Sequence, residues 1–141
     1  MAKTEADLLR IGQVSTLSNL PVKTIRFYED RGLIQAAQRT TGGFRLFYPS
    51  VLTRLSFIRR SQALGLSLND IQDILNISDS GERPCQKVRH KFQSKIIEIE
   101  ERMVELQNLK TQLRALMAEA DAKEKLDAHI CPIIEHANDA Q

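Results

Sequence analysis

Pro21-Val22-Lys23-Thr24-Ile25-Arg26-Phe27-Tyr28-Glu29-Asp30-Arg31-Gly32 is the sequence of a short helix with both ends marked. Pro21 suits a first helical turn, where a missing N–H costs nothing, and Gly32 suits the position just past the last turn. Upstream, Ile11, Val14 and Leu17 recur at helical spacing, and Asn19-Leu20-Pro21 interrupts them. Two short helices about a tight turn make a helix-turn-helix.

Downstream, Thr40-Thr41-Gly42-Gly43 lies between the short extended runs Gln35–Arg39 and Phe44–Tyr48. It reads as a hairpin tip, with Phe44 and Leu46 on one face and Arg45 on the other. This is a wing. Ser50 is the expected N-cap of a third helix, with Val51, Leu52, Leu55, Ile58 and Leu64 as its apolar face and Gly65 as its end. Ser67 and Asp70 have the spacing of a capping box, opening a fourth helix that buries Leu68, Ile71, Ile74 and Leu75.

After the loop 78–83, Pro84 is followed by no Gly or Pro up to Ala120. Phe92, Ile96, Ile99, Met103, Leu106, Leu109, Leu113, Leu116 and Ala120 recur at steps of three and four, with charged residues such as Glu98, Glu101, Arg102, Glu105 and Lys110 between them. At ~1.5 Å per residue such a helix runs about 55 Å. So narrow a stripe needs a cover, and a second copy of itself is the simplest one, with cover by the chain's own head as the alternative. The step 103–106–109 departs from the heptad and implies a local packing adjustment. In the tail, Pro132 stands at the first position of a short helix.

Composition limits the function. Seven aromatics and no Trp argue against one large core. No apolar run approaches the ~18–20 residues of a membrane span. Met1–Arg10 carries Lys3, Glu5, Asp7 and Arg10 with no long apolar stretch behind it, unlike a signal peptide, so a cytoplasmic protein is expected, without a membrane partner. Residues 1–60 hold ten Lys/Arg against four Asp/Glu and residues 61–141 ten against fourteen. A basic head on an acidic body suits a polyanion ligand. No Ser/His/Asp set, carboxylate pair or Gly-rich phosphate loop is visible, so an enzyme is not expected.

Thr24-Ile25-Arg26-Phe27-Tyr28-Glu29 with Gly32-Leu33-Ile34, then Gly43-Phe44-Arg45-Leu46-Phe47, resembles the MerR family of bacterial transcriptional regulators, and in particular its metal-responsive branch. The similarity covers roughly residues 11–120 and returns at Cys131-Pro132-Ile133-Ile134-Glu135. It implies a mainly α fold: a winged helix-turn-helix with its helix pair over 1–80, a dimerisation helix over 84–120 paired antiparallel as a coiled coil, and an effector loop and short helix over 121–141. It implies a homodimer on a palindromic double-stranded promoter. Bending and underwinding of that DNA would realign the promoter for bacterial RNA polymerase, a partner reached only through the DNA. By similarity Thr24 and Arg26 lie in the major groove, Tyr28 meets phosphate, and Arg39 and Arg45 approach the flanking backbone or minor groove. The chemistry agrees, since Arg offers a planar fork to guanine or phosphate and hydroxyls suit phosphate oxygens.

The resemblance also implies a sensor. Cys85 stands where metal-sensing members carry a thiol at the start of the long helix, and Cys131 matches a loop thiol supplied by the other protomer. Thiolate and imidazole donors suit zinc, cadmium, lead, mercury or copper(I). The chain departs from the pattern near Ala120–Ala122, where a further loop Cys is expected and only Asp121 offers a donor. His129 and His136 flank Cys131 and are the candidates to complete the set, with Asp127 or Glu135 as weaker ones. Alternatives remain: Cys131 as a small buried hydrophobe, thiol-based redox sensing, an organic effector, for which a tail of this length is short, or a coiled-coil interaction protein that does not bind DNA.

Overall fold

A computed structural model describes residues 7–138. Lys3 and Glu5, and the last three residues of the expected 121–141 segment, lie outside the described residues. The chain forms two compact units, Met1–Phe92 and Gln93–Gln141.

In the first unit, the short strand β1 (Leu9–Arg10) leads into α1 (Ile11–Ser18) and α2 (Val22–Asp30). Asn19 closes α1 in the left-handed conformation (φ 59°), and Pro21 is the N-cap of α2. Gly32 follows α2 at φ 77°, a conformation a side chain would strain. The wing is β2 (Gln38–Arg39) and β3 (Arg45–Phe47), and β1 joins it as a third antiparallel strand in the order β1-β3-β2. A two-residue strand has no periodicity of its own, so β1 is invisible until β3 supplies its partner.

The wing differs from expectation at Phe44. The Thr40 N–H still donates to the Phe44 carbonyl, but the Phe44 N–H goes to Thr40 Oγ1 at 3.1 Å and the Thr40 carbonyl accepts from Gly43, so the regular ladder reaches only to Arg45; Phe44 is 67% exposed while Leu46 is buried. Phe47 is fully buried at the point where the sheet meets the helical core.

Two helices complete this unit, α3 (Val51–Ala63) and α4 (Leu68–Asp79). Ser50 has helical dihedrals and its side chain caps nothing, contrary to expectation. The Val51 and Leu52 N–H groups instead donate to the carbonyls of Tyr48 and Pro49, a backbone turn doing the work of a cap. Leu64 lies past the last turn of α3 and is exposed, off the apolar face assigned to it. The capping box at Ser67 and Asp70 forms as expected. Ile25, Leu33, Ile34, Phe47, Leu55, Ile58, Ile71 and Ile74 fill the centre, and among the described residues every buried core residue lies between Val14 and Leu75.

Helix α5 (Cys85–Ala118) has 34 residues and buries none of them. Its first turns pack on the core through Val88. Lys91 is half-buried there and reaches Asp70 at 2.9 Å and Asp73 at 3.2 Å. The Lys91 hydrogen bond, helped by the Ser67 N–H, holds the Asp70 carboxyl down to about 2. A depressed carboxylate pKa stabilises the fold above the ordinary carboxylate range, and that contribution is lost as pH falls from ~4 towards about 2. Lys91→Met is therefore expected to cost on the order of 1 kcal/mol at neutral pH, since Asp70 is partly screened by solvent. The deficit should vanish near pH 2, and parallel denaturant titrations of variant and parent at both pH values check it.

In the second unit, α5 runs on to Ala118 and is followed by α6 (Ala120–Lys123) and α7 (Pro132–Glu135). The spacing that predicts one helix to Ala120 thus ends two residues earlier, with a new turn beginning at Ala120. Among the described residues no helix is long and apolar enough to cross a membrane.

Candidate DNA-binding surface and effector loop

Helix α2 owes its two faces to spacing. Ile25 and Tyr28, three residues apart, face inward and are buried. Lys23, Arg26 and Phe27 are exposed and Thr24 is half-buried. Arg26 pairs with no side chain among the described residues, so its five N–H donors are available to a ligand. The Arg31 guanidinium stacks over the Phe27 ring, 5.2 Å from its centroid.

Tyr28 is more deeply placed than sequence suggests, only 5% exposed. Its hydroxyl donates to Gln62 Oε1 at 2.8 Å. Burial raises its pKa, with the Arg59 guanidinium pulling the other way, so the hydroxyl stays protonated. That one proton is committed to Gln62, leaving only oxygen lone pairs for other partners. Nothing in the sequence signals Gln62, which lies 34 residues away.

The wing presents Arg39 and Arg45 as direct cross-strand partners. Like charges so placed repel, and the fold answers this locally. Arg45 Nε binds the Glu29 carboxylate from α2, and Arg39 donates to the Gly43 carbonyl at 3.0 Å. The Glu29–Arg45 pair thereby ties the wing to α2. Glu29 was not singled out from sequence, although its i, i+3 relation to Arg26 puts it on a neighbouring part of the helix surface.

The thiols sit at two helix starts. Cys85 opens α5 and is exposed, whereas Cys131 is the half-buried N-cap residue of α7. Both are free thiols. The loop before α7 is laced by backbone hydrogen bonds. The Glu135 carboxylate accepts the N–H groups of His129 (3.0 Å), Ile130 (3.1 Å) and Cys131 (2.9 Å). These N–H groups, Ile130 and His129 foremost, hold its pKa below the usual carboxylate range. His136 Nε2 lies 2.8 Å from the Asp127 carbonyl, which leaves Nδ1 as its open nitrogen. Lys123 Nζ donates to the His136 carbonyl at 3.1 Å. The His129 side chain is exposed. Among the described residues of one chain, no group of three or more His, Cys, Asp or Glu gathers as a metal site. The thiols and imidazoles are donors of a type that suits soft ions, but within one chain they are not brought together.

Two family models match this chain: "MerR HTH family regulatory protein" over residues 9–77 and "MerR, DNA binding" over residues 52–116. The HTH-type transcriptional regulator ZntR of Escherichia coli (strain K12) is 37% identical over 110 residues, covering 77% of this chain and 78% of the relative. The chain belongs to the MerR family. This MerR-family protein is a DNA-binding transcriptional regulator, as its relatives are, and not an enzyme. The mercuric resistance operon regulatory protein of Bacillus cereus is 37% identical over 130 residues, covering 89% of this chain and 94% of the relative. Among solved structures, PbrR691 from Ralstonia metallidurans CH34 in complex with lead(II) superposes with a TM-score of 0.77 at 32% identity, covering 91% of this chain and 98% of that one.

Proposed function

We propose that this regulator acts as a homodimer which binds a palindromic promoter, bends and underwinds it, and does so in response to a soft metal ion shared between the protomers. Residues 1–80 bind DNA, 84–120 dimerise and 121–141 sense. RNA polymerase is engaged only through the realigned promoter, and the protein works in the cytoplasm, where its thiols stay reduced.

The observation that carries this reading is α5. Ile96, Ile99, Met103, Leu106, Leu109 and Leu113 are each about half exposed or more, and they recur at steps of three and four along a helix without a buried residue. Apolar side chains in such a line are stable in water only when covered. A second α5 supplies the same line in return, as two-fold symmetry requires.

Arg26 and Thr24 are the proposed base-reading residues and Arg39 and Arg45 the backbone contacts. Tyr28 would meet phosphate by exchanging its bond to Gln62. Cys85 of one protomer and Cys131 of its partner are the proposed thiolate ligands, with His129 or His136 Nδ1 completing the set. A thiophilic ion, when bound, supplies a coordinate link between the two chains. Support for the soft-metal reading comes from the donor chemistry and from relatives connected with mercury resistance and with lead(II).

Arg26→Ala is expected to weaken promoter binding about 10- to 100-fold per half-site, the ~1–3 kcal/mol of a lost base contact. The dimer should be unchanged. Fluorescence anisotropy on a labelled promoter with sedimentation velocity alongside checks both, and unchanged affinity would remove Arg26 from the interface.

A further inference from the structure

Three consecutive N–H groups converging on one point form a nest that favours an anion. In the loop 129–131 the nest is already filled from within, by the Glu135 carboxylate. One oxygen, Oε1, takes His129, and the other, Oε2, takes Ile130 and Cys131. The same residue bonds back through its own backbone, since the Glu135 N–H donates to the Cys131 carbonyl at 3.0 Å. Cys131 and Glu135 are thus joined in both directions, closing a ring of five residues whose one thiol is the N-cap residue of α7.

We propose that Glu135 is the positioning residue of the effector loop: its carboxylate, held on three amides, sets the backbone from which the Cys131 thiol is presented. This rests on the reading of Cys131 as a ligand. It gives Glu135 a task distinct from ligation, since both its oxygens already accept loop amides. A thiol on an untied loop loses conformational freedom when it binds, and that cost lowers affinity. A thiol whose backbone is already fixed avoids it. The partners that orient metal ligands typically change affinity about 10- to 100-fold when removed.

The test uses the full chain with Glu135→Ala and Glu135→Gln. Glutamine keeps one accepting oxygen but loses the charge and the second acceptor. Amide hydrogen exchange at His129, Ile130 and Cys131 is measured without metal. Cadmium(II) binding is then followed through the thiolate charge-transfer band, with promoter affinity as the control for folding. Protection of the three amides should fall in the order parent, Gln, Ala. Cadmium(II) affinity should fall in the same order, by about 10- to 100-fold for alanine, at unchanged promoter affinity. Amides as protected in Glu135→Ala as in the parent would overturn the proposal. So would equal cadmium(II) affinity in all three proteins. Should the parent itself bind no cadmium(II), the thiolate-site reading fails, and the exchange measurement alone still decides whether Glu135 organises the loop.

Discussion

Ile99→Asp combined with Leu106→Asp is expected to turn the protein into a monomer at micromolar concentration and to weaken binding to a two-half-site promoter about 10²- to 10⁴-fold. The two positions lie seven residues apart, on one side of α5, and both are half exposed in the isolated chain. In a paired helix each aspartate would have to be buried without a partner, which costs several kcal/mol per charge. In the isolated chain both sites already face water, so the fold of each chain is retained. The loss on DNA follows from linkage. A dimer that has seated one head presents the second at about millimolar effective concentration, and a monomer has no such second step. Sedimentation velocity and promoter titration together check the pair of effects. A dimer that survives both aspartates would place the contact elsewhere, and with it the proposed spacing of the two heads.

Cys85→Ser and Cys131→Ser are each expected to remove the cadmium(II) or mercury(II) charge-transfer signal and the metal response of transcription, with promoter affinity unchanged. A hydroxyl keeps the shape of a thiol but is a poor ligand for soft ions. The sharper result comes from mixing the two variants. If each site takes one thiol from each chain, a mixed dimer has one site with no thiol and one with both. With random exchange half the dimers are mixed, so about one quarter of the parental sites return in an isologous dimer. Sites built within one chain would return nothing. The control is promoter binding, since neither cysteine lies in α2 or the wing, the proposed DNA-contacting elements.

Local signals in the sequence were sufficient for much of the first unit. Pro21 and Gly32 bracket α2 because each has a backbone preference that operates without neighbours. Thr40–Gly43 marks the hairpin for the same reason, and the Ser67–Asp70 capping box is a contact between residues three apart. Where expectation failed, the deciding partner was distant or the chain reversed. Ser50 resembles a cap, but the Tyr48-Pro49 turn already supplies the acceptors. Phe44 fits the strand alternation, but its N–H is taken by the Thr40 side chain, so the regular strand begins only at Arg45.

Candidate site residues divide along the same line. Arg26 is exposed as its helix position implies, since Ile25 and Tyr28 settle which way α2 faces. The engagement of Arg45 by Glu29, of Tyr28 by Gln62, and of three loop amides by Glu135 was not legible. The nearest available hint for Glu135 is that an acidic residue four positions after an N-cap can fold back on the backbone, as in a capping box.

From its amino-acid order alone, this protein has the type and sequence of its main helices, the hairpin, the uncovered line on α5 and the identity of its soft donors. Those properties are settled by dihedral preference and by periodicity, which act over a few residues. Only the tertiary structure decides which polar groups remain free. A hydrogen bond or ion pair needs its partner within about 3 Å, and for Arg45, Tyr28 and Lys91 that partner is set by how separate helices and strands pack together.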